Sequence, residues 1–550
     1  MKRRILLILT CVLLVAAMLV TTVGCGNVKK GGEESDTVKE TGVVTEANKD
    51  DKDTTAGTEA AGSDVEDTGD VTDLETEEDT EEDTEEEENE TEIPLEYNVE
   101  PEDLNGFQLD ILTVKEKTWS MHTDLAPVAI TGDTINRAVY KRNNTIQNLY
   151  NAKIVAYEDA EYYGMSERIS KDLLSQEYKY DAAYSEGSSV MSLITQDSLY
   201  NLYDVDEIQL DEAWWSQLIK EECTLGTGKY STLFFSQSNL SLTAFDLTWC
   251  VYFNKTIHET EQVEDLYALV ENDQWTIEKM ATIGRNVATL NSDTNYTYED
   301  DGTSVYGITT YWNGAKAMLD GGNVAFVTVN TDGDPVPNIN NDRFINLSQK
   351  LAEMFGEAGT FTNGGASTDS SSKKGNASDY IKIFNAQRAL FCVAEVKSSV
   401  SDFKDLDNFG ILPLPKYDDS QEEFRSWVNY LAPVLVIPKS HDESENTLHN
   451  TAVLLDALSF YSSRDVLPEY YDVVLKGRGT NDSNSIKMLD LINDTKSFDA
   501  SIAYGWSRQF SEVLSETILL GVTDVSSLVG TYEEMITNNI KDTMDAIYND

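Results

Sequence analysis

The residues able to do covalent or metal chemistry are few and badly spaced. The four histidines, His122, His258, His441 and His449, are scattered and give no zinc-ligand spacing. The five cysteines include no CxxC pair. Cys250 in LTWCVYF and Cys392 in ALFCVAE lie in apolar runs, as small core residues do. No serine sits in a nucleophile elbow. Carboxylates are plentiful, 67 of them between residues 105 and 550, so close pairs arise by chance and no spacing marks the two acids of a glycosidase. NSDTNYTYED and NTDGDP are rich in oxygen ligands but lack the glycine placement of a calcium loop, and read as loop or hairpin. No catalytic residue, metal or cofactor is expected on these grounds.

The ends of the chain and its charge set further limits. Lys2, Arg3 and Arg4 precede an apolar run from Ile5 to Val20, too short to span a bilayer comfortably, and small residues lead to Gly24-Cys25. Residues 1–24 read as a secretory leader. Val23-Gly24-Cys25 resembles the bacterial lipobox, with Thr22 where leucine is usual. The resemblance implies that Cys25 becomes the lipid-modified first residue, carrying palmitate-type chains enough for stable anchoring; an ordinary leader with a chance cysteine is the alternative. Residues 26–104 hold 31 Asp and Glu against 5 Lys and Arg, with runs such as DTEEDTEEEENETE. So little apolar material cannot offset the entropy of ordering, and like charges extend the chain. The segment from Cys25 to residue 104 is therefore expected to be a disordered tether. Taking −26 for this segment and +3 for the leader from the whole-chain −57 leaves −34 for residues 105–550. That charge argues against nucleic acid as a partner.

Residues 105–550 are long enough for two substantial cores. FQLDILTV reads as a strand, RAVYKRNNTIQNLYNAKI as a helix, IVAYE as a strand, Ile169 to Leu174 as helix, DAAYSEG as a strand into a turn, and SVMSLITQDSL as a helix. Strands alternating with helices predict an α/β lobe with a mostly parallel sheet. In VYFNKTIHETEQVEDLYALVENDQWTIEKMATIG a strand over Thr248–Phe253 breaks at Asn254-Lys255, an acidic loop follows, and Thr276 caps a helix whose face is Ile277, Met280, Ile283, Val287 and Leu290. Trp275 is expected in the core, and Trp214-Trp215 on a packed rim. GGNVAFVTVNTDGDPVPN predicts a hairpin turning at Asp332-Gly333. GGASTDSSSKKGNASD reads as a loop, YIKIFNAQRALFCVAE as a helix into a buried strand, and GILPLPKYDD as a short strand stopped by proline; NTLHNTAVLLDALSFYSS and the last fifty residues read as helix.

The ordered set YDAAY…SLYNLYDVDEIQLDEAWW, VYFNK…DQWTIEKM, YGITTYWNGAKAMLDGG, IFNAQRALFCVAE, FGILPLPKYDDSQEEF and the helix before Val466-Leu467-Pro468 resembles the extracellular solute-binding proteins of bacterial ABC importers, in the carbohydrate-binding, maltose-binding-like branch. Ala386-Gln387 departs from it, at a place where relatives commonly have glycine. The resemblance implies an α/β, two-lobed periplasmic-binding-protein-like fold (type II) with the ligand in an interlobe cleft. It implies a first lobe of about 105–245 and 413–470 and a second of about 250–410 and 475–550, closing about a hinge. It implies a lipid-anchored binding component, monomeric, on the extracellular face of a Gram-positive cell membrane, taking a sugar or oligosaccharide to an ABC permease. A surface glycoside hydrolase or lyase, and a sensing lipoprotein coupled to a signalling receptor, are the alternatives.

A sugar offers apolar C–H faces that rings cover and hydroxyls that carboxylates and amides hold. The positions that the resemblance brings to the cleft are Trp506 in IAYGWSRQ, Tyr311 and Trp312 in TTYWNG, Asp246 at the first crossover, Glu186 after a first-lobe strand, Glu395 ending LFCVAE, and Trp427 and Tyr430 near the second crossover.

Overall fold

The computed structural model describes residues 96–548 apart from 115–124, 126–133, 188, 363–377, 407, 440–446 and 477–482. The leader, Cys25, the acidic tether up to residue 95 and most of the Ser/Gly loop at 364–379 lie outside the described residues; the last tether residues, 96–104, are not disordered but belong to the folded domain, with Leu104 buried and the Tyr97 ring against Phe460, because these two side chains supply the apolar surface that the acidic run lacks. Among those described, no helix is long and apolar enough to cross a membrane.

Two sheets organise residues 91–550. The first has the order β12-β3-β1-β2, built from β1 (Gln108–Val114), β2 (Lys153–Ala160), β3 (Ala182–Glu186) and β12 (Pro433–Val436). β1 pairs in parallel with β2 and β3, and β12 runs antiparallel to β3. The second has the order β10-β4-β9-β5-β8, from β4 (Trp249–Asn254), β5 (Tyr306–Thr310), β8 (Thr360–Thr362), β9 (Ala389–Glu395) and β10 (Phe409–Leu412). β5 is parallel to β8 and β9, while β4 is antiparallel to β9 and β10. The first sheet is mostly parallel, as expected for the opening lobe, with β12 its one antiparallel strand; the second sheet is mixed. The antiparallel members β12 and β4 are the strands that arrive from the other sheet instead of from a local strand–helix–strand unit.

Three passes of chain lie side by side between the sheets. Thr248 bridges Val428, the Asn429 N–H donates to Leu247 O at 3.0 Å, and β11 (Ser426–Trp427) pairs with β13 (Lys496–Ser497). Around the first sheet pack the helices Thr134–Leu149 and Thr447–Asp465; the C-terminal helices Arg508–Leu519 and Ser526–Tyr548 pack on the second-sheet side.

Local signals explain most of the elements. Thr276 accepts the Lys279 N–H at 3.2 Å and starts the helix Ile277–Val287; Trp275 is fully buried and donates to Pro413 O at 2.9 Å. Asn330 accepts the Asp332 and Asp334 N–H groups, and Gly333 takes φ +83° in the turn between β6 (Val327–Val329) and β7 (Pro335–Pro337). The oxygen-rich run at 291–300 is a loop whose Asp293 carboxylate accepts from Thr303 and Ser304. The acidic stretch after β4 is not a plain loop. It contains two one-turn-and-a-half helices, Lys255–Thr260 and Leu266–Glu271, started by Asn254 and Asp265 side chains that accept backbone N–H groups. SVMSLITQDSL yields only the single turn Met191–Ile194.

Ala386-Gln387 follows the helix Asp379–Asn385, and Gln387 sits at φ +54°, a left-handed conformation that costs a side-chain-bearing residue roughly 1–2 kcal/mol. Gln387→Gly relieves that cost against an unfolded-state penalty of about 0.4–1 kcal/mol. A net gain of about 0.5–1 kcal/mol is expected in urea denaturation; a loss would show that the Gln387 side chain holds something the turn needs.

Candidate functional site

The predicted residues divide by where the two sheets and the crossings place them. Glu186 ends β3, and its carboxylate accepts the N–H groups of Met165 (3.2 Å) and Ser166 (3.1 Å) and the Ser166 hydroxyl (2.8 Å). It thereby holds the positive end of the helix Met165–Ser175. Its neighbour Gly187 is pressed against Tyr430 O and the Phe498 ring, so a Cβ there would have no room. Glu395 ends β9 opposite Trp249 and accepts from Asn429 Nδ2 at 3.1 Å. Burial, with the Glu395 carboxylate next in effect, drives the Tyr311 hydroxyl well above its ordinary pKa.

A run of rings follows the crossings. Tyr380 stacks on Tyr311 at 4.9 Å, Tyr311 leans on Trp249 at 5.1 Å, Trp249 lies 5.9 Å from Trp427, and Trp427 lies 6.4 Å from Tyr430. Trp427 is buried in this run; Tyr311 and Tyr430 are half-buried. Trp312, also half-buried, precedes the helix Gly314–Gly321, and the Ser515 hydroxyl donates to its carbonyl at 3.0 Å.

The centre of the arrangement is a residue that sequence reasoning passed over. Lys316 is one turn beyond Trp312, and its side chain is only 3% exposed. Its Nζ lies 2.8 Å from Glu512 Oε1, 4.8 Å from the Tyr430 ring centre and 5.9 Å from that of Trp312. Burial lowers the Lys316 pKa, and Glu512 opposes that shift. Arg508, Ser511, Glu512 and Ser515 share one face of the helix Arg508–Leu519, the face turned toward Trp312 and Lys316. From the first-sheet side come Tyr162 and Tyr163. Burial and then the Glu186 charge raise the Tyr162 hydroxyl, with Arg508 pulling the other way. The Tyr430 hydroxyl is pushed up to about 12 by burial, then by Glu512.

Four buried polar atoms around these rings have no hydrogen-bond partner among the described residues: Tyr162 Oη, Trp249 Nε1, Asn313 Oδ1 and Ser511 Oγ. Buried polar groups are normally paired with protein or with water, so each of these four is open to a further partner.

Two predicted residues stand apart. Asp246 is buried and accepts from the Tyr470 hydroxyl. Trp506 is fully buried in the C-terminal helices, stacked on Tyr504 at 4.7 Å and donating to Thr543 Oγ1 at 2.8 Å. A groove of about 300 Å³ lies away from the crossings, between the helices Ile277–Val287 and Asp342–Gly356, lined by Gly284, Arg285, Tyr296, Ile308, Met354 and Glu357. It contains none of the predicted residues. Among the described residues, no group of three or more His, Cys, Asp or Glu is placed to hold a metal ion.

Two solved structures share this architecture over nearly their whole length. A sugar transporter from Rhizobium etli in an open conformation superposes with a TM-score of 0.52 at 10% identity, over 78% of this chain and 99% of that one. UspC of M. tuberculosis superposes with a TM-score of 0.50 at 11% identity, over 79% of this chain and all of that one. The fold is the periplasmic-binding-protein-like α/β fold that the sequence predicts. No family model matches the sequence, and no curated protein sequence matches it. In this fold the crossings described above join the two lobes, and the Trp312–Lys316–Tyr430 cluster lies beside them.

Two buried acids give stability a particular pH dependence. Asp181, before β3, accepts the Asp110 N–H at 2.8 Å, and burial lifts it to about 7. Asp499, which accepts the Ser501 N–H at 2.9 Å, is lifted by burial to about 6. In each case the folded state holds a proton that the unfolded chain gives up. Their contribution is fully present below the ordinary carboxylate pKa and is lost as pH rises through about 6 and 7. The melting temperature is expected to fall between pH 5 and 7.5. Asp499→Asn keeps the cap acceptor and should flatten part of the slope; an unchanged slope would rule Asp499 out as its source.

Proposed function

We propose that this chain is the lipid-anchored, extracellular binding component of an ABC importer, capturing a sugar or oligosaccharide between two lobes and presenting it to a membrane permease. The observation that carries the reading is the cluster at the crossings. Ring faces at Trp312 and Tyr430 are of the kind that cover sugar C–H faces, and Asn313 Oδ1, Tyr162 Oη and Trp249 Nε1 are buried polar atoms open to a further partner. Clefts between lobes are where such ligands bind. The sugar-transporter likeness supports the ligand class, and the 1–24 leader with Cys25 supports secretion and anchoring. The acidic tether at 26–95 then holds the binding domain away from the membrane as an extended chain.

A thermal-shift panel of mono- and oligosaccharides on the domain from residue 96 tests the ligand. A sugar bound at a hundred times its Kd stabilises the folded state by about 2.7 kcal/mol, an easily read rise in melting temperature. No rise with any sugar would rule out the carbohydrate reading. Metabolic labelling with a palmitate analogue, in native protein and Cys25→Ala, tests the anchor; equal labelling of the two would remove Cys25 from it.

A further inference from the structure

The crossings are not the only place where the two sides of the fold meet. The loop Thr224–Thr232 belongs to the first-sheet side. Leu225 and Thr232 exchange backbone bonds at 3.0 and 2.8 Å. Asn201 accepts the Leu233 N–H at 2.9 Å and donates to Ser231 O at 3.1 Å, and Ser236 bridges Leu435 in β12. The β6–β7 hairpin belongs to the second-sheet side. Phe326 at its foot packs on Phe344 and Phe510, and the Asn338 N–H donates to Phe326 O at 2.9 Å. The hairpin tip nevertheless reaches the loop, where the Gly226 N–H donates to Gly333 O at 2.9 Å.

The approach is closer than side chains allow. A Cβ on Gly333 would lie 2.3 Å from Gly226 C and 2.4 Å from its O; one on Gly226 would lie 2.4 Å from Tyr230 O and 2.8 Å from the Tyr548 hydroxyl. Both glycines have positive φ, +74° at Gly226 and +83° at Gly333. Asparagine tolerates such a φ, so the turn alone does not demand glycine at 333; the meeting of the two backbones does. The C-terminal helix Ser526–Tyr548, which packs on β7, adds a second hold, with Tyr548 Oη 3.2 Å from Thr232 Oγ1 and 3.4 Å from Tyr230 O. We propose that the β6–β7 hairpin is a clasp that closes on the Thr224–Thr232 loop, holds the two lobes shut without ligand, and so sets the affinity of the cleft. This rests on the two-lobed binding reading above. Gly226 and Gly333 belong to neither main sheet nor to the crossings, so rotation about the crossings parts them. A ligand that needs the shut form binds with an affinity reduced by whatever fraction of that form is lost.

Spin labels at Leu174→Cys and Glu353→Cys, exposed on the helices Met165–Ser175 and Asp342–Gly356 of the two sides, read their separation by double electron–electron resonance. The native cysteines among the described residues are buried and take no label. Without ligand the short distance is expected to dominate. Gly333→Asn keeps the φ of the turn but not the contact, and should lower the short-distance population at least threefold. Tyr548→Phe, an exposed ring losing one oxygen, should lower it by less, and decides alone where Gly333→Asn does not fold. A long distance dominant in the native protein, or equal distributions in native protein and variants, overturns the clasp. With the best ligand of the sugar panel, each variant's Kd should rise by the factor by which its shut population falls; an unchanged Kd beside a shifted distance overturns the inference as well. The distances need no ligand, so a panel with no binder removes the sugar reading and leaves the clasp standing on them.

Discussion

Asp456→Ala is expected to cost about 3–5 kcal/mol of stability, because several buried neutral donors lose one shared acceptor at about 1–3 kcal/mol each. Asp456 is fully buried within the helix Thr447–Asp465. Its carboxylate accepts from Gln209 N (3.0 Å), Gln209 Nε2 (2.8 Å), Trp214 Nε1 (3.1 Å) and Trp215 Nε1 (2.8 Å). It gathers into one knot a C-terminal helix and a segment some 240 residues earlier. The alanine leaves two indole N–H groups, a backbone N–H and an amide without acceptors, each a desolvated donor worth about 1–3 kcal/mol when orphaned. Tyr97 adds to the cost, because its ring stacks on Phe460 at 4.9 Å and edges Trp214 at 5.7 Å. Asp456→Asn keeps one accepting oxygen and turns the other position into a donor, so an intermediate loss of about 1–2 kcal/mol follows. Urea denaturation followed by tryptophan fluorescence reads both. A loss under 1 kcal/mol for the alanine would mean that water reaches the indoles as soon as the carboxylate goes.

That knot illustrates what a sequence discloses and what it withholds. Trp214-Trp215 read as packed aromatics, and they are; the carboxylate that fixes them is one acid among 98 and has no local mark. Elements whose signal is local were legible: the apolar runs of β1, β3, β4 and β9, the Thr276 cap with its helix face as far as Val287 (Leu290 lies past the helix end and is exposed), and the Asp332-Gly333 turn. The helices Lys255–Thr260 and Leu266–Glu271 were not, because each is too short to show a period among the acids around it, although Asn254 and Asp265 were present as caps. Strand direction was partly hidden as well. Antiparallel β4 and β12 follow from which sheet the chain has just left, a property of topology and not of any window of residues.

The site divides along the same line. Trp312 lies just before the helix Gly314–Gly321 and Lys316 in its first turn, so the two are close in sequence, but their juxtaposition is set by the turn and not by a helical period. The Glu512 that answers Lys316 lies 196 residues on, and only the packing of two helices joins them. Glu186, Glu395, Trp427, Tyr430 and Tyr311 were chosen by likeness to relatives, and all five lie at or beside the crossings. Asp246 and Trp506 were chosen the same way, and each is buried against a named partner, Tyr470 and Thr543. Likeness in sequence order locates a loop well. It does not say which way a ring in that loop points.

Trp312→Ala and Trp506→Ala are therefore expected to fail in opposite ways. Trp312 is half-buried, with Lys316 Nζ 5.9 Å from its ring centre and 4.8 Å from that of Tyr430. Removing the ring takes away a binding face, and loss of a central aromatic anchor costs about 2 kcal/mol or more of binding, roughly thirtyfold in Kd. Folding changes little, since part of the ring already faces water. Trp506 buries its whole indole, bonds Thr543 through it and stacks on Tyr504. Truncating it opens a cavity and takes the indole donor from Thr543 Oγ1, which keeps its own bond to Asn539 O at 3.1 Å, at about 3–5 kcal/mol of stability. The protein that remains folded should bind with native affinity. Calorimetry with the best ligand from the sugar panel, paired with urea denaturation of each variant, separates the two. A thirtyfold weaker Kd in Trp506→Ala with stability intact would return that residue to the site. Native affinity in Trp312→Ala would move the binding face along the ring run toward Tyr311 and Tyr430.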